Sequence, residues 1–329
     1  MLNDPRHYVT GVLQGDRLTL ARTITLIESI LPAHQELART IVDQLLPHTG
    51  NGIRVGITGV PGAGKSTYIE SFGTMLTKLG HRVAVLAIDP SSSRSGGSIL
   101  GDKTRMEKLA VDPNAFIRPS PSSGTLGGVG RKTRETMLVC EAAGYDVAII
   151  ETVGVGQSET TVASMVDFFL VLMIAGAGDE LQGIKKGVLE VADAIVINKA
   201  DGDNLLRAEI AQREYQTALH MLMANSPNWS PPVLTCSAVE GRGITKIWET
   251  ILDHRDKLTA SGEMADKRKT QALDWMAFLL DEGLRQWFYT NPHVREALPA
   301  LRRKVAEKKT SPTAAADSLL AFLYNHGGN

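Results

Sequence analysis

The sequence has only two cysteines, Cys140 and Cys236, among its 329 residues. Two cysteines so far apart exclude a disulfide framework and a thiolate metal cage, and we expect both to be buried free thiols. A charge excess of either sign is also missing, since 35 Lys and Arg residues face 36 Asp and Glu residues. Nucleic acids and anionic membranes attract proteins with a clear basic excess, so this balance argues against both as partners.

Long apolar runs are missing as well. The longest run, 168–175, is far shorter than the roughly 20 residues that a membrane-spanning helix needs. Neither end of the sequence shows a signal-peptide or lipidation pattern. We therefore expect a cytoplasmic protein without a membrane span.

Short apolar segments alternate with helical patterns in the middle of the chain. Strands that are apolar throughout are buried on both faces, and their alternation with helices predicts an α/β fold with a mostly parallel sheet. The six segments are 53–58, 82–88, 146–150, 168–174, 194–198 and 232–238.

Helices are predicted on both sides of this core. Two precede it within 16–46, and four follow it, with Pro292 and Pro312 as breaks. Two Gly/Ser-rich stretches, 90–103 and 119–130, are predicted to be loops, and the first follows a strand at the edge where α/β proteins bind ligands. We expect an N-terminal helical extension (1–50), a nucleotide-binding core (51–258) and a C-terminal helical region (259–329).

A phosphate-binding motif follows the first predicted strand. Residues 59–66 match G-x-x-x-x-G-K-[ST], and the motif opens a predicted helix. In such a loop, backbone N–H groups surround a phosphate, the lysine reaches the outer phosphates and the hydroxyl binds Mg²⁺. The predicted nucleotide-binding residues here are Gly59, Pro61, Gly62, Ala63, Gly64, Lys65, Ser66 and Thr67.

A second motif, N-K-x-D at residues 198–201, predicts which base is bound. The Asp201 carboxylate can accept from N1–H and the 2-amino group of guanine together, whereas adenine offers neither donor there. We expect Asn198 to join this loop to the phosphate loop, Lys199 to cover the base, and Ser237 with Ala238 to support it. Taken alone, the segment is explained equally well as a helix entry with Asp201 as N-cap. Downstream of a phosphate loop it favours GTP.

The third predicted strand ends in Glu151, where most GTPases have the aspartate of D-x-x-G. A glutamate still offers a carboxylate to a magnesium ion, with a longer reach. The N–H of Gly154 is positioned to bond the γ-phosphate, which makes 154–157 a candidate switch. Val155 occupies the position where a water-orienting glutamine often stands, so we expect slow intrinsic hydrolysis.

Further candidates follow the second predicted strand. Asp89 and Asp102 are candidates for the metal shell or for the attacking water, and Arg94 for neutralising transition-state charge. The alternatives are a strand-ending turn at Asp89 and a solvated loop charge at Arg94. The predicted catalytic residues are thus Lys65, Arg94, Asp102 and Glu151, and the predicted metal ligands are Ser66, Asp89, Asp102 and Glu151.

A glycine-hinged charged segment, 176–187, follows the fourth predicted strand. It is either a switch that transmits the nucleotide state to a partner or the start of a helix with solvated lysines. Its predicted partner-facing residues are Asp179, Gln182 and Lys185.

Together with the phosphate loop, the stretches ETVGVGQSE (151–159), INKAD (197–201) and IDPSSSRSGGSILGDKTRM (88–106) carry a family resemblance. They resemble the P-loop GTPases with a glutamate in the third GTPase motif, and among these the methylmalonyl-CoA mutase-associated type, MeaB or ArgK. The likeness runs through the whole chain, including SPSSGTLGGVGRKTRE (120–135) and the helical tail.

The resemblance implies a P-loop NTPase fold and a homodimeric, Mg²⁺-dependent GTPase that converts GTP to GDP at a low intrinsic rate and is stimulated by its partner. It also implies that this partner is an adenosylcobalamin-dependent methylmalonyl-CoA mutase. The GTPase would gate the loading of the cofactor into the mutase and would protect or reactivate the mutase. Under the same resemblance, Asp102 becomes a metal or catalytic ligand and 176–187 a partner-coupled switch.

Three alternatives stay open. Metal-insertion GTPases of the same family carry His-rich tracts or Cys/His clusters, whereas the eight histidines here are scattered. An amino-acid kinase, a name given to some ArgK-type proteins, conflicts with the guanine-type motif at 198–201. A GTP-binding scaffold would show slow turnover that no partner changes.

Overall fold

A computed structural model describes residues 4–89, 106–121, 126–152, 158–176, 186–220 and 226–324. The chain divides into two compact units, Met1–Arg268 and Lys269–Asn329. The first unit contains all of residues 1–258, over which the N-terminal extension and the core are expected, and the boundary expected after residue 258 stays a prediction.

Three helices precede the sheet: α1 (Pro5–Leu13), α2 (Arg17–Glu28) and α3 (Pro32–Leu45). The side chain of Asp4 caps α1, and that of Asp16 caps α2 by accepting from the N–H of Thr19. The prediction of two helices was wrong because it missed α1. That helix has 9 residues and buries only Tyr8 and Val12, which gives too little periodicity to recognise.

Seven parallel strands form one sheet in the order β3-β2-β4-β1-β5-β6-β7, which confirms the predicted α/β fold. Strands β1, β4, β5 and β6 are buried almost throughout, as expected for strands covered on both faces. The strands are β1 (Ile53–Gly59), β2 (Val83–Asp89), β3 (Ala115–Pro121), β4 (Val147–Thr152), β5 (Phe168–Ile174), β6 (Ala194–Asn198) and β7 (Val233–Thr235).

The prediction missed β3 and wrongly made all of 119–130 a loop. In the structure β3 continues to Pro121, and the next helix begins at Leu126. Strand β3 lies at the sheet edge and pairs with β2. An edge position tolerates Pro119 and Pro121, since a proline has no N–H to donate. Only three consecutive apolar residues, 115–117, mark this strand in the sequence.

Helices cover the sheet and form the C-terminal part of the chain. The predicted C-terminal helices are confirmed, but Pro292 and Pro312 begin helices rather than only ending them, as first-turn prolines can. Among the described residues, no helix is both long and apolar enough to span a membrane. The helices are α4 (Lys65–Lys78), α5 (Glu107–Ala110), α6 (Leu126–Ala142), α7 (Ser158–Ala163), α8 (Lys186–Glu190), α9 (Leu205–His220), α10 (Ile244–Ala260), α11 (Glu263–Thr290), α12 (Pro292–Ala306) and α13 (Pro312–Tyr324).

An ion pair between a partly buried arginine and a buried aspartate lies at the starting ends of the central strands. Arg268, near the start of α11, donates from Nε to Oδ1 of Asp167 at 2.7 Å and from Nη2 to Oδ2 at 2.6 Å. The same guanidinium donates to the carbonyl of Gly52 at 2.7 Å, just before β1. The hydrogen bonds to Asp167 raise the pKa of Arg268. This network attaches the beginning of α11 to the beginnings of β1 and β5.

Candidate functional site

The phosphate loop connects the carboxyl end of β1 to the first turn of α4. Gly62 and Gly64 have φ of 79° and 85°, a region that glycine enters without steric cost. A Cβ on Gly64 would lie 2.9 Å from Nδ2 of Asn198, so glycine also permits this close approach. Because α4 begins at Lys65, the N–H groups of its first turn lie next to the loop, where they suit an anion.

The amine of Lys65 contacts its own loop. Its Nζ donates to the carbonyl of Gly59 at 2.9 Å. Burial lowers the pKa of Lys65, while the carboxylates of Glu151 and Glu159 oppose that shift. The amine is therefore partly desolvated and close to acidic groups, which suits it to bind a phosphate.

Ser66 and Glu151 lie together at this edge of the sheet. Oγ of Ser66 donates to Oε1 of Glu151 at 3.4 Å. Glu151 is buried and is the second-last residue of β4, where it pairs with Ile57 of β1. A hydroxyl and a carboxylate are ligands that Mg²⁺ accepts. The structure thus brings together two of the four predicted metal ligands. In the ranges it describes, no three His, Cys, Asp or Glu side chains form a metal-binding group.

Several predicted residues cannot be placed in this geometry. Asp89 is the last residue of β2, next to β4, but its side chain is outside the description. The described chain resumes at Met106, and there the N–H of Lys108 donates to Oε1 of Glu70 on α4 at 2.7 Å. Helix α5, to which Lys108 belongs, is thereby attached to the helix that begins with Lys65. Outside the described residues lie Arg94, Asp102, Gly154, Asp179, Gln182 and Lys185.

Asn198 joins the candidate base-reading loop to the phosphate loop. It is the last residue of β6 and is 1% exposed. Its Nδ2 donates to the carbonyl of Ala63 at 2.7 Å, and its Oδ1 accepts from the N–H of Ala238 at 3.1 Å. The Cys236 thiol also donates to Oδ1, at 3.3 Å, and burial raises the pKa of Cys236 to about 12. The amide of Asn198 therefore has a fixed orientation.

Asp201 is held by the loop that follows β7. Oγ of Ser237 donates to Oδ2 of Asp201 at 2.5 Å. Asp201 is the N-cap residue of the short 3₁₀ helix 202–204, as the helix-entry alternative expected, but its side chain makes no capping hydrogen bond there. A carboxylate accepts about four hydrogen bonds. Asp201 therefore keeps acceptor capacity for a ligand.

A cavity of about 580 Å³ opens beside these loops. Thr67 and Glu70 of α4 form one side, and Ala238 and Val239 form the other. Two of the predicted nucleotide-binding residues, Thr67 and Ala238, line this cavity, whereas no residue of 59–66 or 198–201 does.

Sequence reasoning missed two residues of this loop system. Nη2 of Arg242 donates to the carbonyl of Ala200 at 2.5 Å, and Nδ2 of Asn204 donates to the carbonyl of Lys199 at 2.7 Å. The sequence signal for Arg242 was its position between two glycines. Gly243 has φ of 81°, and a Cβ there would lie 2.5 Å from the carbonyl of Thr235.

A parallel sheet with a phosphate loop at the start of α4 and an N-K-x-D loop at the end of β6 defines a P-loop GTPase fold. The sequence profile "Methylmalonyl Co-A mutase-associated GTPase MeaB" matches residues 20–293. The chain belongs to the MeaB family.

Individual relatives agree with this assignment. GTPase ArgK of Escherichia coli is 53% identical over 301 residues, which cover 90% of this chain and 91% of ArgK. The "Methylmalonic aciduria type A homolog, mitochondrial" of Mus musculus is 51% identical over 328 residues, covering 96% of this chain and 79% of the mouse protein. The crystal structure of a LAO/AO transport system kinase superposes with a TM-score of 0.79 at 44% identity and covers 97% of both chains.

Proposed function

We propose that this chain hydrolyses GTP to GDP and phosphate, slowly by itself, and that it assists an adenosylcobalamin-dependent methylmalonyl-CoA mutase. The observation that carries the nucleotide assignment is the Asn198 side chain, which connects the base-reading loop to the phosphate loop at Ala63. The partner assignment is supported by the family, which is described as methylmalonyl-CoA mutase-associated.

Different residues would bind the two ends of GTP, its phosphates and its guanine base. Lys65 and the first turn of α4 would hold the phosphates, while Asp201, supported by Ser237, would accept from guanine. Ser66 and Glu151 would hold Mg²⁺, which when bound neutralises charge on the phosphate oxygens. In the same proposal Asp89 completes the metal shell, and Asp102 and Arg94 act on the attacking water and the transition-state charge.

Nucleotide state would be passed on by the segments that follow the central strands. Strand β4 leads into 153–157, which contains Gly154, and β5 leads into 177–185, which contains Asp179, Gln182 and Lys185. Both strands are neighbours of β1, which carries the phosphate loop. We infer that loss of the γ-phosphate changes these segments and thereby the affinity for the mutase, so that hydrolysis gates cofactor loading.

A homodimer is supported by an exposed apolar stripe on α11. Its five members are each more than half exposed, and their spacing of three or four residues places them along one side of the helix. A second copy offers the same stripe, and light scattering at micromolar concentration tests this dimer. The stripe residues are Leu273, Met276, Leu280, Leu284 and Trp287.

The decisive experiment measures GTP hydrolysis by the purified chain alone and with methylmalonyl-CoA mutase, with ATP as control nucleotide. Slow turnover of GTP that rises severalfold with the mutase is expected. A mutase without effect would remove the partner and leave a GTPase. ATP used as readily as GTP would remove the base assignment.

A kinase is the second candidate because the similar crystal structure carries that description. The expectation is that no phosphate passes from ATP or GTP to amino acids. Incubation with γ-labelled nucleotide and an equimolar mixture of basic amino acids tests this, and a labelled amino acid would favour the kinase.

A further inference from the structure

The base-reading turn contains a residue in a costly backbone conformation. Lys199 has φ of 60°, in the left-handed region that residues other than glycine enter at a cost of roughly 1 kcal/mol or more. Such a conformation persists only where surrounding contacts fix it. The position of the next carboxylate, that of Asp201, depends directly on this turn.

Every carbonyl of the turn 199–201 accepts a hydrogen bond. Asn204 supplies two of them, from Nδ2 to the carbonyl of Lys199 at 2.7 Å and from its N–H to that of Asp201 at 3.0 Å. Arg242 supplies the third, from Nη2 to the carbonyl of Ala200 at 2.5 Å. Asn204 is local, whereas Arg242 reaches the turn from a different loop.

Arg242 also supports the second loop that holds Asp201. Its carbonyl accepts from the N–H of Ser237 at 3.0 Å, and Oγ of the same serine donates to Asp201. The guanidinium therefore fixes the backbone next to Asp201, while the main chain of Arg242 fixes the serine that orients the carboxylate. Glu240 lies 3.1 Å from Nη2 of Arg242 and directs it toward the turn.

We propose that Arg242 is a positioning residue for guanine recognition, acting through the turn 199–201 on the Asp201 carboxylate. The proposal rests on the proposed use of guanine nucleotides. Guanine recognition by one carboxylate needs two simultaneous hydrogen bonds, to N1–H and to the 2-amino group, so small displacements of Asp201 weaken both. The proposed role of Arg242 is exerted through this turn and through Ser237, without a contact to the base.

The test compares the dissociation constants of GDP and IDP, since inosine lacks the 2-amino group. In Arg242→Met, which keeps the length of the side chain and removes its donors, the preference for GDP over IDP falls about fivefold, the effect of one lost hydrogen bond. Arg242→Lys, which retains one charged donor, restores part of the preference. An unchanged preference, with GDP and IDP weakened equally or not at all, would overturn the proposal.

Two controls keep the outcomes distinct. Arg255→Met on α10 removes an arginine of similar exposure, 45% against 51% for Arg242, whose recorded ion pair is with the adjacent Asp256. It is expected to leave the preference unchanged. A wild-type protein that binds ADP as tightly as GDP would instead contradict the proposed function. Thermal unfolding of each variant shows that the binding differences come from folded protein.

Discussion

The two ends of the candidate nucleotide site differ in how many of their hydrogen bonds are already made within the chain. At the base-reading end, Asn198 is bonded to three partners and Asp201 is held by Ser237. At the phosphate end, Lys65 donates to carbonyls of its own loop, and the contact from Ser66 to Glu151 is long, at 3.4 Å. The side chains at the base end are preorganised, whereas at the phosphate end the Lys65 ammonium, which has three donors, and the weakly held Ser66 hydroxyl can still form contacts with a ligand.

Under the proposed function, this difference separates recognition of the base from sensing of the nucleotide state. A preorganised base end selects the nucleotide without rearrangement, so its variants should change which base binds. Under the proposed function, a phosphate end that forms new contacts with its ligand can differ between GTP and GDP, so its variants should change affinity and turnover. Strands β4 and β5 are the two sheet neighbours of β1, which carries the phosphate loop, and β2 is the next strand beyond β4.

Asp201→Asn is expected to have the largest effect, because it changes the hydrogen-bonding pattern of a fixed side chain. An amide offers a donor to the 2-oxo group of xanthine, where guanine itself presents a donor. The ratio of XTP to GTP affinity should shift by roughly 10⁴. Competition binding with labelled GDP measures the shift, and retained preference for GTP would contradict a base-reading role for Asp201.

Lys65→Met should weaken GTP binding by about 100-fold or more and stop hydrolysis, because the charged hydrogen bonds to phosphate are lost. The same change should leave the ligand-free protein as stable as the wild type or more so. Burial lowers the pKa of Lys65, so the folded state disfavours the charged amine. Calorimetry measures GTP binding and the stability of the ligand-free protein, and turnover assays measure hydrolysis. Together they check whether GTP binding falls while stability is kept or rises.

The pH dependence sharpens that prediction. Since the folded-state pKa of Lys65 is below its unfolded value, the unfolded chain binds more protons between the two values, and wild-type stability relative to Lys65→Met rises with pH there. A relative stability that falls over this alkaline range would contradict the burial of the amine. Thermal unfolding from neutral pH to about pH 10 covers the range.

The sequence predicted the motifs better than it predicted their supports. The phosphate loop and N-K-x-D have fixed spacings, and the buried strands before them are continuously apolar, so both ends could be assigned to one edge of the sheet. Arg242 and Asn204 could not, because each acts on a backbone carbonyl. Every residue has the same backbone carbonyl, so the amino-acid sequence contains no pattern that predicts which side chain donates to it.

The fold shows the same limit. Strands buried on both faces were predicted because burial makes them apolar, whereas β3 escaped because an edge strand pairs on one side and tolerates prolines. Likewise, α1 was missed because only two of its residues, Tyr8 and Val12, are buried. Elements at the periphery leave weaker patterns than elements at the centre.

Asn198→Ala tests the connection between the two ends and is expected to have the smallest effect. It removes the partners of the Ala63 carbonyl and the Ala238 N–H, and unpaired groups at this buried position should lower the free energy of unfolding by about 2 kcal/mol. Urea denaturation measures this loss, with Asn114→Ala as the control at an exposed asparagine. Because the two loops also lose their link, affinities for GDP and for phosphate-free guanosine should fall unequally, with GDP losing more. Equal losses would mean that Asn198 serves the base end alone and that the phosphate loop is held in place without it.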